Sequence, residues 1–203
     1  MKQSNSDLKN YPARKYPTIG VCGLDCGLCP RYYTQGTSRC PGCGGPDFST
    51  KRPSCSFITC CVKKKGLEVC AECSEFPCSK FKTDEEYQEL KESSSYPSGK
   101  VVMLNLDFIK ANGIKKFLEQ QEKRIELLER MIDNFDDGRS RSFFCKAACL
   151  QDLTSLESAL NKAIWKIKKD RIKRADTRIR ARILRENLNQ GTYALRVRTG
   201  SVA

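Results

Sequence analysis

Histidine is absent from all 203 residues. That removes histidine-based triads, imidazole proton shuttles and Cys2His2 zinc sites from consideration. No stretch approaches the ~20 consecutive apolar residues of a membrane span. The opening MKQSNSDLKNYPARKYP has no apolar core of signal-peptide length. No G-x4-G-K-[ST] phosphate loop occurs, and no repeat recurs at a solenoid period. Large apolar side chains are sparse early on: between Cys22 and Phe81 there are 11, from Leu24 to Phe76. A segment that short buries too little surface to offset its chain entropy, so covalent or metal staples are expected.

The early residues carry cysteine instead. Eleven of the 13 cysteines lie between Cys22 and Cys78, in the pattern C22-x3-C26-x2-C29, C40-P-G-C43, C55-x4-C60-C61 and C70-x2-C73-x4-C78. Two sulfurs three positions apart can grip one soft ion, and a second such pair completes a tetrahedron. A cytoplasmic location, expected from the lack of a targeting or membrane segment, keeps thiols reduced and favours metal over disulfides. The odd total also fits a closed disulfide set poorly. Each divalent ion on four thiolates leaves −2, so two would bring the formal +13 to about +9. Lysines and arginines among the hooks, such as Arg31, Lys51, Lys63 and Lys65, can lower thiol pKa values or simply be solvated.

Along the chain, residues 1–17 read as a flexible N-terminus. Residues 18–92 read as a cysteine-rich metal-binding module, 100–190 as a helical domain and 191–203 as a tail. The fold expected is a small irregular α+β module followed by an all-α domain with a long basic C-terminal helix. Thr18 to Val21 reads as a short strand, and Thr83 with Asp84, Glu85 and Glu86 as a helix start running to Glu92. Ser93 to Gly99 is a turn-rich connector. Ile114, Phe117, Leu118, Gln121, Ile125, Leu128, Ile132 and Phe135 fall on one helical face, with Asn112 as cap and Asp136-Asp137-Gly138 as stop. A helix over Phe143–Leu150 follows. Thr154-x-x-Glu157 then reads as a capping box opening a helix through Leu156, Leu160, Ile164 and Ile167 that continues to about Leu188.

The motifs C22-G-L-D-C26-G-L-C29-P30, C40-P-G-C43-G and G66-L-E-V-C70-A-E-C73-S-E-F-P-C78 resemble the family known as domain of unknown function 3795. The resemblance continues through N112-G-I-K-K-F-L-E-Q-Q-E-K-R124 and D136-D-G-R-S-R-S-F-F-C145-K-A-A-C149, about residues 18–160 in all. It implies metal binding and no particular reaction. Its motifs contain ten cysteines: Cys22, Cys26, Cys29, Cys40, Cys43, Cys55, Cys60, Cys70, Cys73 and Cys78. Cys61 stands where similar proteins carry a small residue and is set aside.

Spacing favours Cys26, Cys29, Cys40 and Cys43 as one four-thiolate site and Cys60, Cys70, Cys73 and Cys78 as another, with Cys55 as substitute; interleaved pairings use the same residues. The expected cofactor is zinc, two ions, with an iron–sulfur cluster as the alternative. Cys22, Cys26 and Cys29 also have the spacing of radical S-adenosylmethionine enzymes. The barrel such enzymes need takes on the order of 200 residues and cannot be housed here. Cys145 and Cys149 read as small buried side chains.

From Lys162 to Glu186 there are 11 basic and three acidic residues, a net of +8. Lys166, Lys169, Lys173, Arg174, Arg178, Arg180, Arg182 and Arg185 are candidates for a phosphate backbone, and a solvated surface helix or oligomer contact is the bland reading. Membrane binding is not expected, because Trp165 is the only large aromatic nearby. The function expected is a non-catalytic, zinc-binding interaction or assembly factor with an unidentified protein partner. The alternatives are RNA binding through the basic helix, and an iron–sulfur protein with redox or radical chemistry.

Overall fold

The computed structural model describes residues 11, 13–51, 54–81 and 99–189. Among them are no strands. The expected strand at Thr18 to Val21 is instead a string of turns. Ile19 N–H donates to Tyr16 O, Gly23 N–H to Gly20 O and Gly20 N–H to Leu24 O, so these backbone groups are spent locally. Val21 O accepts from Cys70 N–H at 2.9 Å and Thr18 O from Gly27 N–H at 2.7 Å, and two such scattered bonds make no ladder.

The cysteine-rich region is therefore irregular. It holds single 3-10 turns at Cys26–Leu28, Pro30–Tyr32, Gly36–Ser38 and Cys70–Glu72, one α turn at Phe48–Lys51 and a π-helical stretch at Ile58–Lys64. The helix expected over 83–92 lies outside the described residues.

Among the described residues five helices follow: α1 (Gly99–Asn112), α2 (Ile114–Phe135), α3 (Arg141–Leu150), α4 (Leu153–Lys169) and α5 (Thr177–Asn189). The periodic face read for α2 is buried at Phe117, Gln121, Leu128 and Phe135, and Leu127 and Met131 widen it. Asn112 does not cap α2; it ends α1, and Gly113 at φ 83° makes the corner between them. The cap of α4 is Asp152 and not Thr154: its carboxylate accepts from Ser155 N–H at 2.8 Å.

The long basic helix is broken in two. After Lys169 the chain turns back, so α4 and α5 pack as an antiparallel hairpin, and Gln151 Nε2 donates to Leu188 O at 2.8 Å across it. Arg171 N–H donates to Lys168 O and Ile172 N–H to Ile167 O, with Arg171 left-handed at φ 52°. That pair of bonds is a Schellman stop with arginine where glycine is usual.

Two apolar clusters result. One joins Leu127, Leu128, Met131 and Phe135 of α2 to Phe144, Leu156, Leu160, Ile183, Leu184 and Leu188, and reaches Leu28 of the first hook. The other lies under the cysteines: Ile19, Val21, Phe48, Ile58, Val69 and Phe76 pack with Leu106, Phe108 and Ile109 of α1 and Phe117 of α2. The poorly apolar N-terminal region thus completes its core with side chains borrowed from the helices.

Buried polar groups fasten the same seam. Asp25, 2 % exposed, accepts from Asn105 Nδ2 at 3.0 Å and from Gln121 Nε2 at 2.9 Å. The two amides also donate to Gly23 O and Thr18 O, each at 2.9 Å. Gly23, at φ 90°, lies so close to α1 that an added Cβ would stand 2.7 Å from Val102 O. No helix of the described residues is long and apolar enough to cross a membrane.

Candidate metal centre

All 13 cysteines are unbridged thiols. The structure gathers those between Cys22 and Cys78 into neighbourhoods that cut across the order of the hooks.

Cys22, Cys26, Cys43 and Cys55 form the first. Burial pushes the Cys22 thiol up to about 11, and Cys43 and Cys55 add to the rise. Cys26 is raised well above its ordinary value by burial, then by Cys43 and Cys22, with Cys29 a weaker neighbour. Cys43 is raised by burial, with Cys55 also nearby. The backbone at Leu24, Cys43 and Val21 offsets part of the rise at Cys22, Cys26 and Cys43 in turn, as polar groups near an anionic sulfur do.

The local fold explains the arrangement. Cys40-Pro41-Gly42-Cys43 turns sharply at Gly42, whose φ is 86°, and Cys43 N–H donates to Pro17 O at 2.9 Å. A Cβ at Gly42 would fall 2.3 Å from that carbonyl oxygen, so only glycine fits.

Arg14 holds the turn in place. It lies in the stretch 1–17, is 6 % exposed, and its Nη1 donates to Ile19 O at 2.6 Å and Cys43 O at 3.0 Å. Its Nη2 donates to Glu68 O at 2.5 Å, and its Nε faces the Glu68 carboxylate at 3.5 Å. One guanidinium therefore ties three loops around the first group of thiols.

Cys29 and Cys40 form a second, smaller neighbourhood. Cys29 is raised by burial, the backbone at Arg31 and Tyr32 offsets part of the rise, and Cys40 lies beside it. Its other neighbour is Cys145 of α3, fully buried and raised to about 12 by burial and by Cys29. The foursome Cys26, Cys29, Cys40 and Cys43 thus spans two neighbourhoods.

The third group lines a small cavity of about 30 Å3: Cys60, Cys61, Cys70, Cys73 and Cys78, walled by Phe57, Phe76 and Phe81. Cys60 and Cys61 stand on the π-helical stretch, a form frequent at functional sites. Lys65 Nζ donates to Cys73 Sγ at 3.1 Å and to Glu75 Oε1 at 2.7 Å. Cys61, set aside on sequence grounds, is inside this group: its thiol shares a hydrogen bond with Cys70 that lowers Cys61 and raises Cys70. The adjacency of Cys60 and Cys61 was its only sign in the sequence. Cys55 belongs with the first group by its neighbours, although it also borders an open groove beside Cys60. Cys70 has both Cys22 and Cys78 near it and so links the first and third groups.

These are neighbourhoods and not closed tetrahedra. Among the described residues no three histidine, cysteine, aspartate or glutamate side chains converge tightly enough to hold an ion as they stand.

Of the basic candidates, Lys166, Lys169, Lys173, Arg174, Arg178, Arg182 and Arg185 are exposed. Arg180 is buried, donates through Nε to Asn134 O at 2.8 Å and lies over the Phe135 ring, so it is occupied internally.

No curated protein and no solved structure matches the chain. Residues 18–83, from the first turn before Cys22 to just beyond Cys78 and short of the motifs in α2 and α3, match the family described as protein of unknown function (DUF3795).

Proposed function

We propose that residues 18–81 form a thiolate metal-binding module, with zinc as its ion, in a non-catalytic interaction or assembly protein. The observation that carries this is the gathering of Cys60, Cys61, Cys70, Cys73 and Cys78 around one small cavity, with Lys65 Nζ donating to Cys73 Sγ at 3.1 Å. A lysine held against a sulfur favours the anionic form, which is the form that binds metal. The donor set is soft and entirely sulfur, which suits zinc or an iron–sulfur cluster and not hard cations. Cys22, Cys26, Cys43 and Cys55 would hold one ion, and Cys60, Cys70, Cys73 and Cys78 a second, with Cys61 beside it. Bound metal would supply cross-links that a region with few large apolar side chains lacks. Arg14 and Lys65 would offset the negative charge of the thiolates.

Element analysis of protein purified without oxygen tests the proposal. About two zinc ions per chain and a colourless sample are expected. A brown sample carrying iron and acid-labile sulfide would replace zinc by a cluster on the same cysteines. Neither metal in fully reduced protein would end the reading.

A further inference from the structure

The helical hairpin α4–α5 presents a surface that uses none of the cysteines between 22 and 78. Trp165, the one tryptophan of the chain, stands 61 % exposed on α4. A tryptophan is normally the first side chain a fold covers, since it carries about 250 Å2 of mostly apolar surface. Here α4 buries Leu156, Leu160, Ala163 and Ile167 and leaves the indole out. Lys169 Nζ lies 4.7 Å from the indole centre.

Around it, ten of the 11 basic residues between Lys162 and Glu186 are exposed, all but Arg180. Only Lys166 among them has a carboxylate partner within the hairpin, Asp170 at 2.8 Å. The turn adds Arg171, Lys173 and Arg174, so positive charge is continuous from one helix to the other.

We infer that this hairpin is a docking surface for single-stranded nucleic acid, one base stacking on Trp165 while Lys and Arg of α4, the turn and α5 follow the phosphates. Charge complementarity selects a polyanion, and the exposed indole selects one with flat apolar faces. An anionic bilayer fits less well. Among the described residues the only large apolar side chains left exposed are Trp165 and Ile179, too few for an amphipathic helix to enter lipid. The indole meets a base face and the cations meet phosphates, so no base edge is read and the surface is sequence-tolerant.

The single tryptophan makes the test direct. Its emission in the full chain is followed as single-stranded oligoadenylate is added, alongside a duplex of equal length and phosphatidylserine-containing vesicles. Quenching by the single strand is expected, with affinity falling steeply between about 50 and 200 mM salt. Binding of a labelled strand should weaken at least about fivefold in W165A, the lower end for one stacked base. Trp165 packs little, so that variant keeps its fold by circular dichroism. Exchanging Lys168, Arg178 and Arg182 for glutamine should reduce the salt slope by about 0.7 for each phosphate no longer neutralised. Four results would overturn the inference: no quenching by the strand, unchanged affinity in W165A, quenching by vesicles with none by the strand, or self-association through Trp165 with no strand bound.

Discussion

Removing the Asp25 carboxylate should loosen the joint between the cysteine hooks and the helices. Its two oxygens accept from Asn105 on α1 and Gln121 on α2, both buried. Hydrogen bonds to a charged group are worth about 1.5–3 kcal/mol each. Two such bonds removed would give about 3–6 kcal/mol, but the amides keep Gly23 O and Thr18 O as partners, and a buried charge is relieved. The net expectation for Asp25→Ala is a loss of about 2–4 kcal/mol. At roughly 2–4 °C per kcal/mol for a chain this size, the melting temperature should fall by about 5–15 °C. Urea denaturation of the metal-loaded protein, followed by far-UV circular dichroism, measures it. Because Asp25 stands immediately before Cys26, metal affinity should fall in the same variant. A change within about 0.5 kcal/mol, as for an ordinary surface substitution, would refute the view that this carboxylate joins the two regions.

Three further outcomes follow from the geometry. Cys73→Ser should lower metal content by about one ion per chain, whereas Cys149→Ser, inside the helical core, should leave it unchanged; element analysis of both variants checks this. Asp152→Ala should cost about 1 kcal/mol by removing the α4 cap. The Ser155 hydroxyl and amide hold the Asp152 carboxyl below its ordinary 3.8, so that contribution is present above pH 3.8 and is lost as pH falls through the lower folded value. The stability difference between wild type and variant, measured down to acid, should therefore shrink. Arg171→Gly should raise stability by about 1 kcal/mol, because glycine takes the left-handed stop without strain; an unchanged or lower melting temperature would contradict the Schellman assignment.

What the sequence made legible, and what it hid, follows from where each signal lies. α2 was plain because its period, apolar at every position but Gln121, runs to Asp136-Asp137-Gly138, and the structure ends it at Phe135. Gln121 interrupts that stripe, and its partners Thr18 and Asp25 lie about a hundred residues away, where no local pattern reaches. α1 gave no amphipathic signal because Leu106, Phe108 and Ile109 meet the cysteine-rich region while Asn105 is buried beside them. The break between α4 and α5 was hidden because its stop is an arginine, so the apolar spacing seemed to run on. The cysteine hooks were evident from spacing alone. Their neighbours were not, because the pairing of Cys26 with Cys43 and Cys22 depends on how the loops close around Arg14.

X-ray absorption at the metal edge of the loaded, reduced protein addresses the central claim most directly. The account predicts a first shell made only of sulfur, four atoms at about 2.3 Å for zinc. A shell of oxygen or nitrogen would show that the cysteines between 22 and 78 hold no metal and that the region owes its order to the apolar seam alone.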